Sequence, residues 1–144
     1  MTGVTKKDHP VLVTGATGLL GTHLVRQLNT IGITPRVLLR RDLPDEAWGD
    51  LRIETVRADL TGHSEHSAPS LDQALQGIDT VFHLAAYVHM SWKNHERHEE
   101  VNYHGAVSLY HAALRAGVRR LVHVSSIGTV GGSPDGTPLQ ENAI

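Results

Sequence analysis

The chain has 144 residues, 40% of them hydrophobic and 19% charged, which suits one ordinary globular domain with a real core. A formal net charge of −2 gives no electrostatic basis for binding nucleic acid or an anionic membrane, and the lack of cysteine excludes disulfides, Fe–S clusters and thiolate zinc sites. No apolar run approaches membrane-spanning length and Met1 to Pro10 is polar, so residues 1–10 read as a flexible tail and a cytoplasmic location is expected.

The first predicted element is a strand over Val11-Leu-Val, running into a turn with glycines at Gly15, Gly18 and Gly21. A helix follows, with Leu20, Leu24, Val25 and Leu28 on one face. Strand, glycine turn and helix in this order begin a dinucleotide-binding βαβ unit. Gly15 lets the chain turn sharply off the strand. Gly18, with no Cβ, lets backbone approach a pyrophosphate, and Gly21 lets the helix lie against the sheet. The free amides opening the helix then face the phosphates.

Arg36-Val-Leu-Leu39 reads as the second strand, and it ends in Arg40-Arg41-Asp42, about where the residue handling the adenine ribose should stand. An acid there would bond the 2′-hydroxyl of NAD, whereas a guanidinium can grip a 2′-phosphate through a bidentate fork. The pattern leans toward NADP, with a solvated Arg40–Arg41 loop pair as the other reading. Pro44 to Trp48 resembles a short helical turn, and Leu51 to Val56 alternates as a third strand. Asp59 follows; it either accepts a hydrogen bond from the adenine amino group or caps the next turn.

His63 to Pro69 reads as a polar loop, and Ser70 as the N-cap of a helix bearing Leu71, Ala74 and Leu75 and closed by Gly77. Thr80 to Ala86 is a near-continuous apolar run, as in a strand buried on both faces. Its small end, Leu84-Ala85-Ala86, would let a cofactor lie across the strand edge. A longer helix carries Val101, Val107, Leu109, Ala112, Ala113 and Leu114. Asn102 falls within that face, where a polar amide must be paired, so it is expected to bond the adjacent strand's backbone. Arg119 to Val124 reads as a fifth strand ending in Ser125-Ser126, followed by turn residues with no further element. Among the eleven histidines, His95, His98, His104 and His111 fall at helical spacings without partner carboxylates. The histidines therefore read as surface composition and no metal site is assigned.

Thr14-Gly-Ala-Thr-Gly-Leu-Leu-Gly21 resembles the T-G-x-x-G-x-x-G turn of the short-chain dehydrogenase/reductase superfamily, and of its extended NAD-dependent epimerase/dehydratase branch in particular. Asp59-Leu60, His83-Leu-Ala-Ala86, Val101-Asn102 with Gly105, and Ser125-Ser126 match further motifs of that branch in order. Arg40 and Ser125 to Val130 look most like its dihydroflavonol-reductase and 3β-hydroxysteroid-dehydrogenase subgroup. The resemblance implies an α/β fold: a Rossmann-type, doubly wound parallel sheet of strand order 3-2-1-4-5, truncated after the fifth strand, with residues 11–144 as the NAD(P)-binding domain. It further implies that Gly15, Thr17, Gly18, Leu19, Leu20 and Gly21 hold the pyrophosphate and that Arg40 meets the 2′-phosphate. Asp59 and Leu60 would meet the adenine, and Leu84, Ala85 and Ala86 the nicotinamide-side ribose. Asn102 would be the structural amide between helix and strand. Ser126 would be the catalytic hydroxyl, with Ser125 and Thr129 as neighbours.

The family's acid–base pair, a tyrosine with a lysine four residues on, is missing. Tyr87, Tyr103 and Tyr110 are followed at that spacing by Ser91, Val107 and Leu114, and the only lysines are Lys6, Lys7 and Lys93. The expectation is therefore the cofactor-binding N-terminal portion of a longer NADP(H)-dependent carbonyl or alcohol oxidoreductase, inactive by itself. NAD is the second candidate cofactor. The alternatives are a fragment of a nucleotide-sugar epimerase or dehydratase and a non-catalytic dinucleotide-sensing module. Ending the sheet at the Leu121 strand would leave an open edge prone to self-association.

Overall fold

The computed structural model describes residues 9–61, 71–89, 94–133 and 135–140. The expected His63–Pro69 loop and Ser70 cap lie outside the described residues. Five strands, β1 (Val11–Thr14), β2 (Arg36–Leu39), β3 (Glu54–Arg57), β4 (Thr80–His83) and β5 (Arg120–His123), form one all-parallel sheet in the order β3-β2-β1-β4-β5. The helices are α1 (Leu19–Thr30), α2 (Leu71–Leu75), α3 (His95–His98) and α4 (Gly105–Arg115), with a π-helical stretch at Glu99–His104 joining the last two. Short 3₁₀ turns at Asp45–Trp48 and Ile127–Val130 complete the described elements.

The central strands are mainly apolar because both faces are covered, with Thr14, Thr80 and His83 as buried polar exceptions. On one face Val11, Val13, Val37 and Leu39 pack against Val25 and Leu28 of α1 and against Trp48. On the other, Leu12, Leu38 and Val81 meet Leu75 of α2 and Leu109, Ala112 and Ala113 of α4. Sequential strands run outward from β1 to β3, and the chain then crosses back to β4 beside β1. The direction of winding thus reverses between β1 and β4, and the crevice at the carboxyl ends of those strands is where such sheets bind ligands.

Several boundaries depart from the sequence reading. The third strand starts at Glu54 rather than Leu51, because only Glu54 to Arg57 reach the parallel register with β2. Pro10 is not loose, since its carbonyl accepts the amides of Asp79 (2.9 Å) and Thr80 (3.2 Å). Asp79 in turn takes a two-pronged bond from Arg119, which with the Thr80 hydroxyl holds its carboxyl well below the usual range and ties the start of β4 to β5. After Ser126 the chain makes a 3₁₀ turn where only turns were expected.

Candidate cofactor cleft

Most walls of the cleft come from residues at or just beyond the carboxyl ends of strands. A cavity of about 480 Å³ lies over the ends of β1 to β4. It is bounded by the glycine turn (Gly15, Ala16, Thr17, Gly18), the end of β2 (Leu38, Leu39, Arg40), the residues after β3 (Asp59, Leu60, Thr61) and those after β4 (Leu84, Ala85, Ala86, Tyr87). Arg97, Glu100 and Val101, from the helical stretch before α4, close it on a further side.

The turn is tightly specified. Gly15 has φ +70°, a region that strains any residue with a Cβ, and a Cβ there would stand 2.6 Å from the Ala85 amide nitrogen. The two backbones therefore touch, which seats the glycine turn against the end of β4. Gly21 is close-packed too, but a Cβ on it would strike the Gly15 carbonyl and the Ala16 Cα, the latter at 2.6 Å. It lets α1 lie on the turn, not on the sheet as the sequence reading had it. Gly18 differs: only the Gly15 carbonyl oxygen, at 3.3 Å, lies near its Cβ position, so no other protein atom covers it. Gly18 is also the N-cap of α1, and no side chain caps the helix. The first-turn amides carry the positive end of a twelve-residue helix dipole.

Thr14 and His83 brace this arrangement from below. The Thr14 hydroxyl accepts the Ala85 amide at 3.2 Å and lies 2.7 Å from Nδ1 of His83, its partner across the β1–β4 register. His83 is 2% exposed and stacks on His123 with ring centroids 5.1 Å apart. Burial, with the neighbouring His123 charge, pushes its pKa down from 6.5 to about 4, so the ring is neutral at physiological pH. The histidines are thus not all surface composition. A His within a strand run buried on both faces was the available signal.

Of the residues singled out in the sequence, the fold brings Gly15, Thr17, Gly18, Arg40, Asp59, Leu60, Leu84, Ala85 and Ala86 together around one cleft. Asp59 also caps, its Oδ1 accepting the Thr61 amide (3.0 Å) and hydroxyl (2.9 Å). Arg40 is exposed at the cleft rim. Leu19 and Leu20 stand at the start of α1, 79% and 57% exposed, outside the cleft lining. Asn102 does not line it either. It is exposed rather than buried in the helix face, because the wide π turn rotates it off that face. It is nonetheless fully engaged, accepting the Tyr87 amide (2.7 Å) and donating to the Tyr87 carbonyl (2.9 Å). Ser125 and Ser126 are exposed beyond β5, and the Ser126 hydroxyl accepts the Gly128 amide at 3.2 Å. The lining residues that the sequence reading does not assign to the site are chiefly Tyr87, Arg97 and Glu100, while Val101 is read there only as part of a helix face and a family motif.

A family profile described as "NAD dependent epimerase/dehydratase family" matches residues 11–144, and the chain belongs to that family. It is 40% identical over 125 residues to sterol demethylase protein B of Methylococcus capsulatus, covering 87% of this chain and 37% of that protein. It is 32% identical over 130 residues to a putative dihydroflavonol 4-reductase of Synechocystis, covering 90% and 36%. Among solved structures, MoeE5 in complex with UDP-glucose and NAD superposes with a TM-score of 0.70 at 35% identity, covering 87% of this chain and 39% of that one. The chain spans little more than a third of the length of these relatives. Its parallel sheet, in the order β3-β2-β1-β4-β5, is Rossmann-type. No helix among the described residues is long and apolar enough to cross a membrane.

Proposed function

We propose that this chain binds NADP(H) as the cofactor portion of an oxidoreductase that moves hydride between the nicotinamide and a carbonyl or secondary alcohol. The observation that carries this reading is the single cleft in which the glycine turn, Arg40, Asp59 and the small end of β4 meet. The residues fit a dinucleotide, since the space over Gly18 is open and the α1 amides have no side-chain cap. When bound, the cofactor supplies the hydride chemistry.

The chain's own part is to bind and orient. The amides from Gly15 to Gly21 hold the diphosphate, with Thr17, Leu19 and Leu20 flanking it. Arg40 forks onto the 2′-phosphate, Asp59 and Leu60 frame the adenine, and Leu84, Ala85 and Ala86 leave room for the second ribose. Asn102 fixes the Tyr87 backbone that continues that wall. Ser126 accepts the Gly128 amide, which leaves its hydroxyl hydrogen to meet a substrate oxygen beside Ser125 and Thr129. No tyrosine in the sequence has a lysine four residues on, and the chain by itself is proposed not to turn over.

A second reading, a nucleotide-sugar epimerase or dehydratase using NAD, draws support from the likeness to MoeE5 bound to UDP-glucose and NAD. Titrating NADPH and NADH by fluorescence separates the two. NADPH is expected to bind tighter, Arg40→Gln to remove the difference, and Gly18→Asp to abolish both. Equal affinities for the unmodified protein would favour the NAD reading. Binding of neither cofactor to folded protein, or full binding by Gly18→Asp, would overturn the proposal.

A further inference from the structure

Arg97 is a cation on the cleft wall to which the proposed function gives no task. No residue from Gly15 to Gly21 carries a cationic side chain, and the turn offers an anion only amide N–H groups. Among the described residues the cationic side chains lining the cleft are Arg40 and Arg97. Arg40 belongs to the β2 end. Arg97 stands apart, on α3, with its guanidinium carbon 5.3 Å from the centroid of the Tyr87 ring.

The place of that charge is defined by its neighbours. Both backbone groups of Tyr87 are tied to Asn102, and the His98 ring meets the Tyr87 ring edge-on at 5.0 Å. His98 is itself anchored, donating from Nε2 to the His89 carbonyl at 2.9 Å. A guanidinium stacked on an aromatic face keeps its N–H edge available for an anion in the ring's plane of approach. Tyr87 is two residues beyond Ala85, whose amide nitrogen would stand 2.6 Å from a Cβ on Gly15, so the backbone of Tyr87 lies within about 10 Å of the glycine turn. The helical wall therefore brings a positive charge into the same cleft that Gly15, Ala16, Thr17 and Gly18 bound.

We propose that Arg97 is a second contact to the diphosphate of the dinucleotide, a side-chain cation that complements the amide cradle of the glycine turn. This rests on the dinucleotide-binding function proposed for the cleft. Glu100, on the same wall, opposes an anion, and Asp59 is turned onto Thr61.

The test compares ligands with and without the diphosphate on unmodified protein and on Arg97→Gln, Arg97→Lys and Arg40→Gln. Arg97→Gln is expected to weaken NADH, NADPH and ADP-ribose alike by about tenfold. Adenosine, which has no phosphate, should change less than about twofold. The variant should also flatten the salt dependence of NADH binding. Arg97→Lys, which keeps the charge and loses the planar stack, should fall between. Arg40→Gln should instead affect NADPH and spare NADH and ADP-ribose. Unchanged ADP-ribose affinity in folded Arg97→Gln, or an equal loss for adenosine, would overturn the inference while leaving the dinucleotide site standing. Failure of the unmodified protein to bind any dinucleotide would overturn both.

Discussion

His83 should make the stability of this domain fall as the solution is acidified, and the size of the effect comes from its surroundings. In the unfolded chain its imidazole titrates near 6.5, whereas burial and His123 hold it at about 4 in the folded state. A group whose folded pKa is depressed contributes stability above its unfolded pKa and loses it as pH falls toward the folded one. Between pH 6.5 and about 4 the unfolded state takes up a proton that the native state refuses. The slope approaches about 1.4 kcal/mol per pH unit, and across the window the loss totals about 3 kcal/mol. Protonation would put a hydrogen on both ring nitrogens, and the buried Nε2 has no hydrogen-bond partner among the described residues. Urea unfolding at intervals from pH 7 to pH 4.5, on the unmodified protein and on His83→Gln, isolates this contribution from that of the carboxylates. His83→Gln should be less stable at pH 7 yet show a shallower decline. Parallel declines for the two proteins would refute the argument.

The backbone of the turn and the edge of the sheet give two further expected outcomes. Gly15→Ala should destabilise by about 2–4 kcal/mol in thermal or urea melts, because it adds positive-φ strain to an overlap with the Ala85 backbone. Gly32→Ala, at φ +82° but with nothing within 4 Å of the new Cβ, should cost only about 1 kcal/mol, and equal losses would contradict the close approach. Among the described residues β5 is paired on one side only, and Val122 and Val124, in and just after it, are 38% and 45% exposed. Sedimentation should therefore show mass rising with concentration, with Val124→Lys suppressing the rise; a monomer at all concentrations would count against an adhesive edge.

The cradle of the glycine turn was legible in the residues because its physics is local. A strand, three glycines and a helix at fixed spacing admit few conformations, and Arg36 to Leu39 show the second strand without ambiguity. The strand order 3-2-1-4-5 comes from the resemblance of the ordered motifs to the short-chain dehydrogenase/reductase superfamily, because right-handed crossovers alone leave several arrangements open. Other features needed neighbours far away in sequence. Gly21 packs on a turn rather than a sheet, which only the crossing of α1 over Ala16 decides. Asn102 leaves its expected helix face because a π turn, invisible in periodicity, rotates it toward Tyr87. His83 looks like any other histidine until Thr14 and His123 come beside it in register. Arg97 meets the Tyr87 ring only when α3 folds over the residues after β4. Composition and local spacing thus determined most of the elements and the glycine turn. Which side chains share the cleft depended on contacts between residues distant in sequence, and these exist only once the sheet has formed.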